Sequence, residues 1–68
     1  MTIAHTKILL RQDSDIEAVR EIVSKHDGSH LDDDNYIVYY NTTPTESSQL
    51  IEALHSFTYS VEITNEVF

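Results

Sequence analysis

From Ala4 to Arg11 the chain alternates with a period of two. Ala4, Ile8 and Leu10 fall on one side, and His5, Lys7, Leu9 and Arg11 on the other. That pattern predicts a strand over roughly residues 3–11, with one face covered. The period changes after Asp13. Ile16, Val19, Ile22, Val23 and His26 recur at helical spacing and predict an amphipathic helix over residues 15–26. Ser14 and Glu17 stand at the separation of a capping box. Asp15 and Glu17 at the start and Lys25 at the end suit the helix dipole, and Glu21 with Lys25 is an i,i+4 pair. Gly28 supplies a left-handed stop.

A second helix is marked at its start by Thr43, Pro44, Thr45 and Glu46, with proline at the first helical position and a second capping box. Leu50, Ile51, Leu54 and Phe57, with Ala53 alongside, predict that it runs from Pro44 to about Ser56. Tyr59, Val61 and Ile63 alternate with Ser60, Glu62 and Thr64 and predict a last strand. Val67 and Phe68 are expected to fold back over an edge. Between the helices, Tyr36 to Asn41 is rich in aromatic and β-branched residues and predicts a strand. Ser29, His30 and Leu31 predict a short strand before it. Asp32 to Asn35 then form the hairpin turn, since Asp and Asn bond to their own turn amides.

These elements predict an α+β fold of the ferredoxin-like order β-α-β-β-α-β, with one antiparallel sheet and two helices on one face. If residues 29–31 are loop, the alternative is a three-stranded βαβαβ layer. The length predicts a single domain over residues 1–68. A chain this short buries about 60% of the surface exposed when unfolded, so its core is small. Cysteine is absent, which excludes disulfides and thiolate metal sites. Good packing or self-association must complete the core. No apolar run reaches the ~18 residues of a membrane span, and no signal-peptide pattern is present, so a cytoplasmic protein is expected.

Charge is unevenly placed within a net −8. Residues 1–25 balance Lys7, Arg11, Arg20 and Lys25 against Asp13, Asp15, Glu17 and Glu21. Residues 26–68 hold Asp27, Asp32, Asp33, Asp34, Glu46, Glu52, Glu62 and Glu66 and no lysine or arginine. Such a surface repels nucleic-acid phosphates and anionic membranes and favours a basic protein partner. Acidic charge also keeps a small protein soluble. The aspartates beside the aromatic strand 36–40 have a structural reading too, as turn formers and as gatekeepers against strand aggregation.

Candidate chemistry is sparse. His26 and His30 are four apart, but Gly28 interrupts the helix that would align them as ligands. The run from Asp32 lacks the glycine and glutamate of an EF-hand loop. One glycine cannot build a nucleophile elbow or a phosphate loop. The expectation is no enzyme, no catalytic residue, no metal and no cofactor. If Tyr36, Val38 and Tyr40 face the helices, Leu9, Ile37 and Tyr39 lie on the open sheet face among Lys7 and Arg11, a candidate homodimer face. Ferredoxin-like RNA binders stack bases on aromatics at that place. The basic, glycine-bearing pattern of those binders is absent here, and direct nucleic-acid binding is not expected.

Two functional readings follow. The first is a non-enzymatic acidic interaction protein that binds a basic partner through Asp32, Asp33, Asp34, Glu46, Glu52, Glu62 and Glu66. Tyr36, Tyr39 and Tyr40 are its candidate aromatic anchors. A sharper form is an inhibitor whose carboxylates mimic nucleic-acid phosphates. In size and charge the chain is similar to small acidic anti-restriction and anti-CRISPR inhibitors of mobile elements. The alternative is a dimeric small-molecule-binding regulatory module, which resembles ACT-type domains in element order. Such domains commonly carry a glycine-rich turn after the first strand, where this chain has Gln12, Asp13 and Ser14.

Overall fold

The computed structural model describes residues 1–68. In chain order the elements are β1 (Thr2–Leu10), α1 (Ile16–Ser24), β2 (His30–Asp32), β3 (Ile37–Thr42), α2 (Pro44–Ala53), a 3-10 turn (His55–Phe57) and β4 (Thr58–Val67). The strands form one antiparallel sheet in the order β2-β3-β1-β4. With its two helices the chain is an α+β fold. Residues 30–32 pair with β3, so the sheet has four strands rather than three.

Cross-strand partners in an antiparallel sheet share a face. Leu31, Val38, Ile8 and Val61 line one row of the covered face, from β2 to β4. Ile8, Leu10, Val38 and Tyr40 from the sheet meet Val19 and Val23 of α1 and Leu50 and Leu54 from α2 and its end in one cluster. Both helices therefore cover the same face. α2 packs on β1 and β3, and α1 on β2. Ser47 of α2 is also buried and meets the hydroxyl of Thr6 on β1. A small side chain there lets the helix lie close to the sheet. Ala53, expected near the apolar stripe, is exposed.

Several boundaries move for physical reasons. Asp15, not Ser14, caps α1: its Oδ1 accepts from the amides of Glu17 and Ala18 at 3.1 and 3.3 Å. The Ser14 hydroxyl instead donates to the carbonyl of Phe57. The helix ends at Ser24, short of His26. The His26 amide donates to the carbonyl of Val23, and the Ser29 hydroxyl lies within hydrogen-bond distance of the carbonyls of Val23 and His26, at 2.8 and 2.6 Å. Gly28 does adopt a left-handed φ of 88°, within the loop beyond the helix. At α2, Thr43 accepts from the amide of Glu46 and Pro44 opens the helix, as the sequence predicts. α2 ends at Ala53, and the chain tightens into the 3-10 turn before β4.

β4 is longer than its alternation suggests. Val67 remains in the ladder with β1, and Phe68 exchanges main-chain hydrogen bonds with Met1, so neither folds back. A register shift between Leu9 and Leu10 forms a bulge at the start of β4. Tyr59 falls at this bulge and is 76% exposed, although the alternation groups it with Val61.

Candidate functional site

The β2–β3 hairpin carries the aspartate cluster on residues 32–34. Asp32 Oδ1 accepts from the Asn35 amide and its Oδ2 from Asn35 Nδ2 at 2.9 Å, closing the turn. The Asn35 side chain holds the Asp32 carboxyl below the usual carboxylate range, and burial opposes it only in part. Tyr36 completes the turn with a φ of 57°, a left-handed conformation that costs a non-glycine residue about 1–2 kcal/mol. Its side chain packs against the core, which offsets that cost. Asp33 is held from the other side by Arg20 of α1, at 3.1 Å. The carboxylates of Asp32, Asp33 and Asp34 thus stand within 4.8 Å of one another on a turn braced at two points.

The seven candidate acids do not form one patch. Asp32, Asp33 and Asp34 share the hairpin. Glu46, in the first turn of α2, accepts from Tyr40 Oη and Thr42 Oγ1 near the opposite end of the sheet. Glu52 is exposed near the end of α2. Glu62 and Glu66 lie on the open face of β4, paired in register with Lys7 and Ile3. Glu66 Oε1 lies 3.1 Å from His5 Nε2. The acids thus surround the molecule rather than lining one groove, and no pocket indents its surface.

The aromatic candidates separate. Tyr39 is 38% exposed on the open face. Tyr36 is half-buried against the core. Tyr40 is 3% exposed and belongs to the core, so it cannot serve as an anchor in this conformation. Burial first, and then the charge of Glu46, raise its phenol pKa. His26 meets it edge-on, with ring centroids 6.3 Å apart.

On the open face, His30, Tyr39, Lys7 and Glu62 form one row across the four strands, and Asp32, Ile37, Leu9 and Ser60 form the next. Leu9 and Ile37 are half-buried. The expected dimer face is therefore a narrow apolar strip crossed by charge. Arg11 is not part of it: past the bulge its guanidinium reaches Asp13 and the carbonyl of Ser56.

One feature of this face has no local sequence signal. His5 Nδ1 lies 3.0 Å from Asn41 Oδ1 on β3, while its Nε2 faces Glu66 on β4. With the ring charged, both nitrogens donate. Glu66 first, and then Asn41, raise the pKa of His5. Residues 36 and 61 positions away meet it only through the strand register. Comparison with protein-family models, with curated proteins and with solved structures found no match for this chain.

Proposed function

We propose that this chain is a non-enzymatic acidic interaction protein that binds a basic protein, with the Asp32–Asp34 hairpin at the centre of its contact surface. The observation that carries this reading is three carboxylates within 4.8 Å on a braced turn, in a stretch, residues 26–68, that holds no lysine or arginine. Close like charges repel, and a cationic side chain relieves that repulsion. A surface without a cleft suits a macromolecular partner better than a small one. The field of net charge −8 would also steer a basic protein toward encounter. The sheet order and the two helices on one face support the ferredoxin-like reading of the scaffold.

The sharper form is an inhibitor that stands in for nucleic-acid phosphates. The test begins with nuclease-treated lysate of the source cell passed over immobilised protein at low salt. A captured basic protein is then challenged with DNA or RNA. Competition supports mimicry; simultaneous binding of the chain and nucleic acid rules mimicry out and leaves the general reading. Asp34→Lys tests the general reading, because Asp34 makes no side-chain bond that the fold needs. Unchanged affinity for this variant would remove the hairpin from the contact surface.

A further inference from the structure

β4 is an edge strand of ten residues, with β1 on one side and no strand on the other. Its unpaired main chain is a template for another strand. Which amides face outward follows from the register. Met1 and Phe68 exchange both main-chain bonds. Hydrogen-bonded and non-hydrogen-bonded pairs alternate along an antiparallel ladder. Phe68, Glu66, Thr64 and Glu62 therefore direct N–H and C=O toward β1. Val67, Asn65, Ile63 and Val61 direct theirs to the open edge.

The apolar side chains left exposed gather at this strand. Tyr59 is 76% exposed, Ile63 49%, Val67 76% and Phe68 69%, with Met1, bonded to Phe68, at 79%. Among large exposed hydrophobic residues only Tyr39 lies elsewhere. Ile63 and Val67 pair with Thr6 and Thr2, so they lie on the helix-bearing face of the sheet. The helices pack on β1, β2 and β3 and leave them uncovered.

We propose that β4 pairs antiparallel with β4 of a second copy, about a two-fold axis through Ile63, to give a continuous eight-stranded sheet. An antiparallel pair about an axis normal to the sheet keeps both helix layers on one side. Only registers centred on a residue then match face to face. Centred on Glu62, the pairing sets Glu62 against its own copy. Centred on Thr64, it sets Glu62 against Glu66 twice. Centred on Ile63, every glutamate meets a hydroxyl: Glu62 faces Thr64 and Glu66 faces Ser60. Ile63 then faces Ile63 and Val61 faces Asn65, while Val67 comes opposite the bulge at Tyr59. This register spans β4 from Thr58 to Val67. It pairs the outward amides of Val61, Ile63 and Asn65 with one another. Centres further along in either direction leave several residues of the strand unpaired. The seam between the helix layers is floored by Val61, Ile63 and Val67 from both copies. The surface is thus self-complementary in hydrogen bonds, in apolar pairs and in charge placement, which selects a second copy as its occupant.

The test is sedimentation equilibrium from about 1 μM to about 1 mM, with two variants and one cross-link. The intact chain is expected to dimerise, and more tightly as salt rises, because two copies of net charge −8 repel. Binding of a basic partner would show the opposite dependence, so the two readings fail separately. Ile63→Lys sets two cations across the axis and is expected to leave a folded monomer. Asn65→Pro removes an outward N–H that the β1–β4 ladder does not use, with the same expected result. Hydrogen-bonded antiparallel partners have Cα atoms about 5.5 Å apart, within disulfide reach. In a chain with no cysteine, Ile63→Cys should therefore oxidise to a cross-linked dimer, and Thr64→Cys should not. A chain monomeric throughout this range overturns the proposal. A dimer that survives both variants, or that cross-links through Thr64→Cys in preference to Ile63→Cys, overturns it as well.

Discussion

Thr6→Val removes half of a hydroxyl pair sealed between the sheet and α2. Thr6 and Ser47 are each 2% exposed, and the Thr6 hydroxyl meets only that of Ser47. Valine keeps the shape of threonine, so the substitution opens no void and acts through hydrogen bonding. A buried hydroxyl left without a partner costs about 1–3 kcal/mol. The same range applies to Ser47→Ala, which strands Thr6. In the double variant nothing is stranded, and its cost should be smaller than the sum of the two by about 1–2 kcal/mol. In a domain of this size about 1 kcal/mol shifts the melting temperature by roughly 4–8 °C, so each single variant is readily resolved. Urea unfolding followed by circular dichroism gives the four free energies, provided the slopes agree. Additivity within about 0.5 kcal/mol would mean that the two hydroxyls do not depend on each other. A Thr6→Val cost below about 0.5 kcal/mol would mean the same. Ser47 would then be satisfied elsewhere, for instance at the carbonyl of Thr43 that its own amide already uses.

Other outcomes follow from the same structure. Leu50→Ala, at a site with no exposure, should cost about 2–5 kcal/mol in the same urea assay, and a cost under 1 would mean that the core is not closed there. Asp15→Ala should cost about 0.5–2 kcal/mol through loss of the α1 cap; an unchanged stability would mean that Asp15 does not cap the helix. His5 has a pKa raised by Glu66 and then Asn41, so its contribution is full below the ordinary histidine value near 6.5. That contribution fades as pH rises through the higher folded value. The melting-temperature difference between the intact chain and His5→Gln should therefore shrink as pH rises above about 6.5; a constant difference would exclude titration of His5 as its source. Asp32 has a lowered pKa, set first by the Asn35 side chain. Its contribution is present above the ordinary aspartate value, near 3.9, and lost as pH falls through the lower folded one. Asp32→Ala should thus matter less at pH 2 than at pH 6 in thermal melts.

Much of this fold is legible from periodicity and caps. Thr43 and Pro44 can open a helix and do little else well, and that start is where α2 begins. The alternation of β1 separates covered from open positions correctly because one face is buried and the other is not. Ambiguity enters where neighbours compete for one role. Ser14 and Asp15 are both good caps, and the choice between them is made by Phe57, whose carbonyl engages Ser14 from across the fold. The contact between Thr6 and Ser47 has no local signal, since neither reveals the other at a distance of 41 positions. Asn65 and Glu66 look like a chain end, yet β1 is long enough to keep them in the ladder.

The candidate site was legible only in part. The aspartate turn is local chemistry, written in residues 32–35, and can be read from the chain. Its brace to Arg20 is not local, and neither is the His5 bridge. Tyr40 illustrates the limit: YIVYY is apolar or aromatic on both faces, so only packing decides which tyrosines are buried. The bulge between Leu9 and Leu10 disturbs the alternation of β4 in the same way, leaving Tyr59 outside the core.

Electrostatic recognition of a basic protein should make the complex salt-dependent. With the captured partner purified, the dissociation constant would be measured by titration calorimetry from about 50 mM to about 500 mM salt, for the intact chain and for Asp34→Lys. Binding should weaken steadily with salt, and the variant should show a weaker, flatter dependence. Binding that is indifferent to salt and to the substitution would contradict electrostatic recognition, and would assign the charge of this chain to solubility alone.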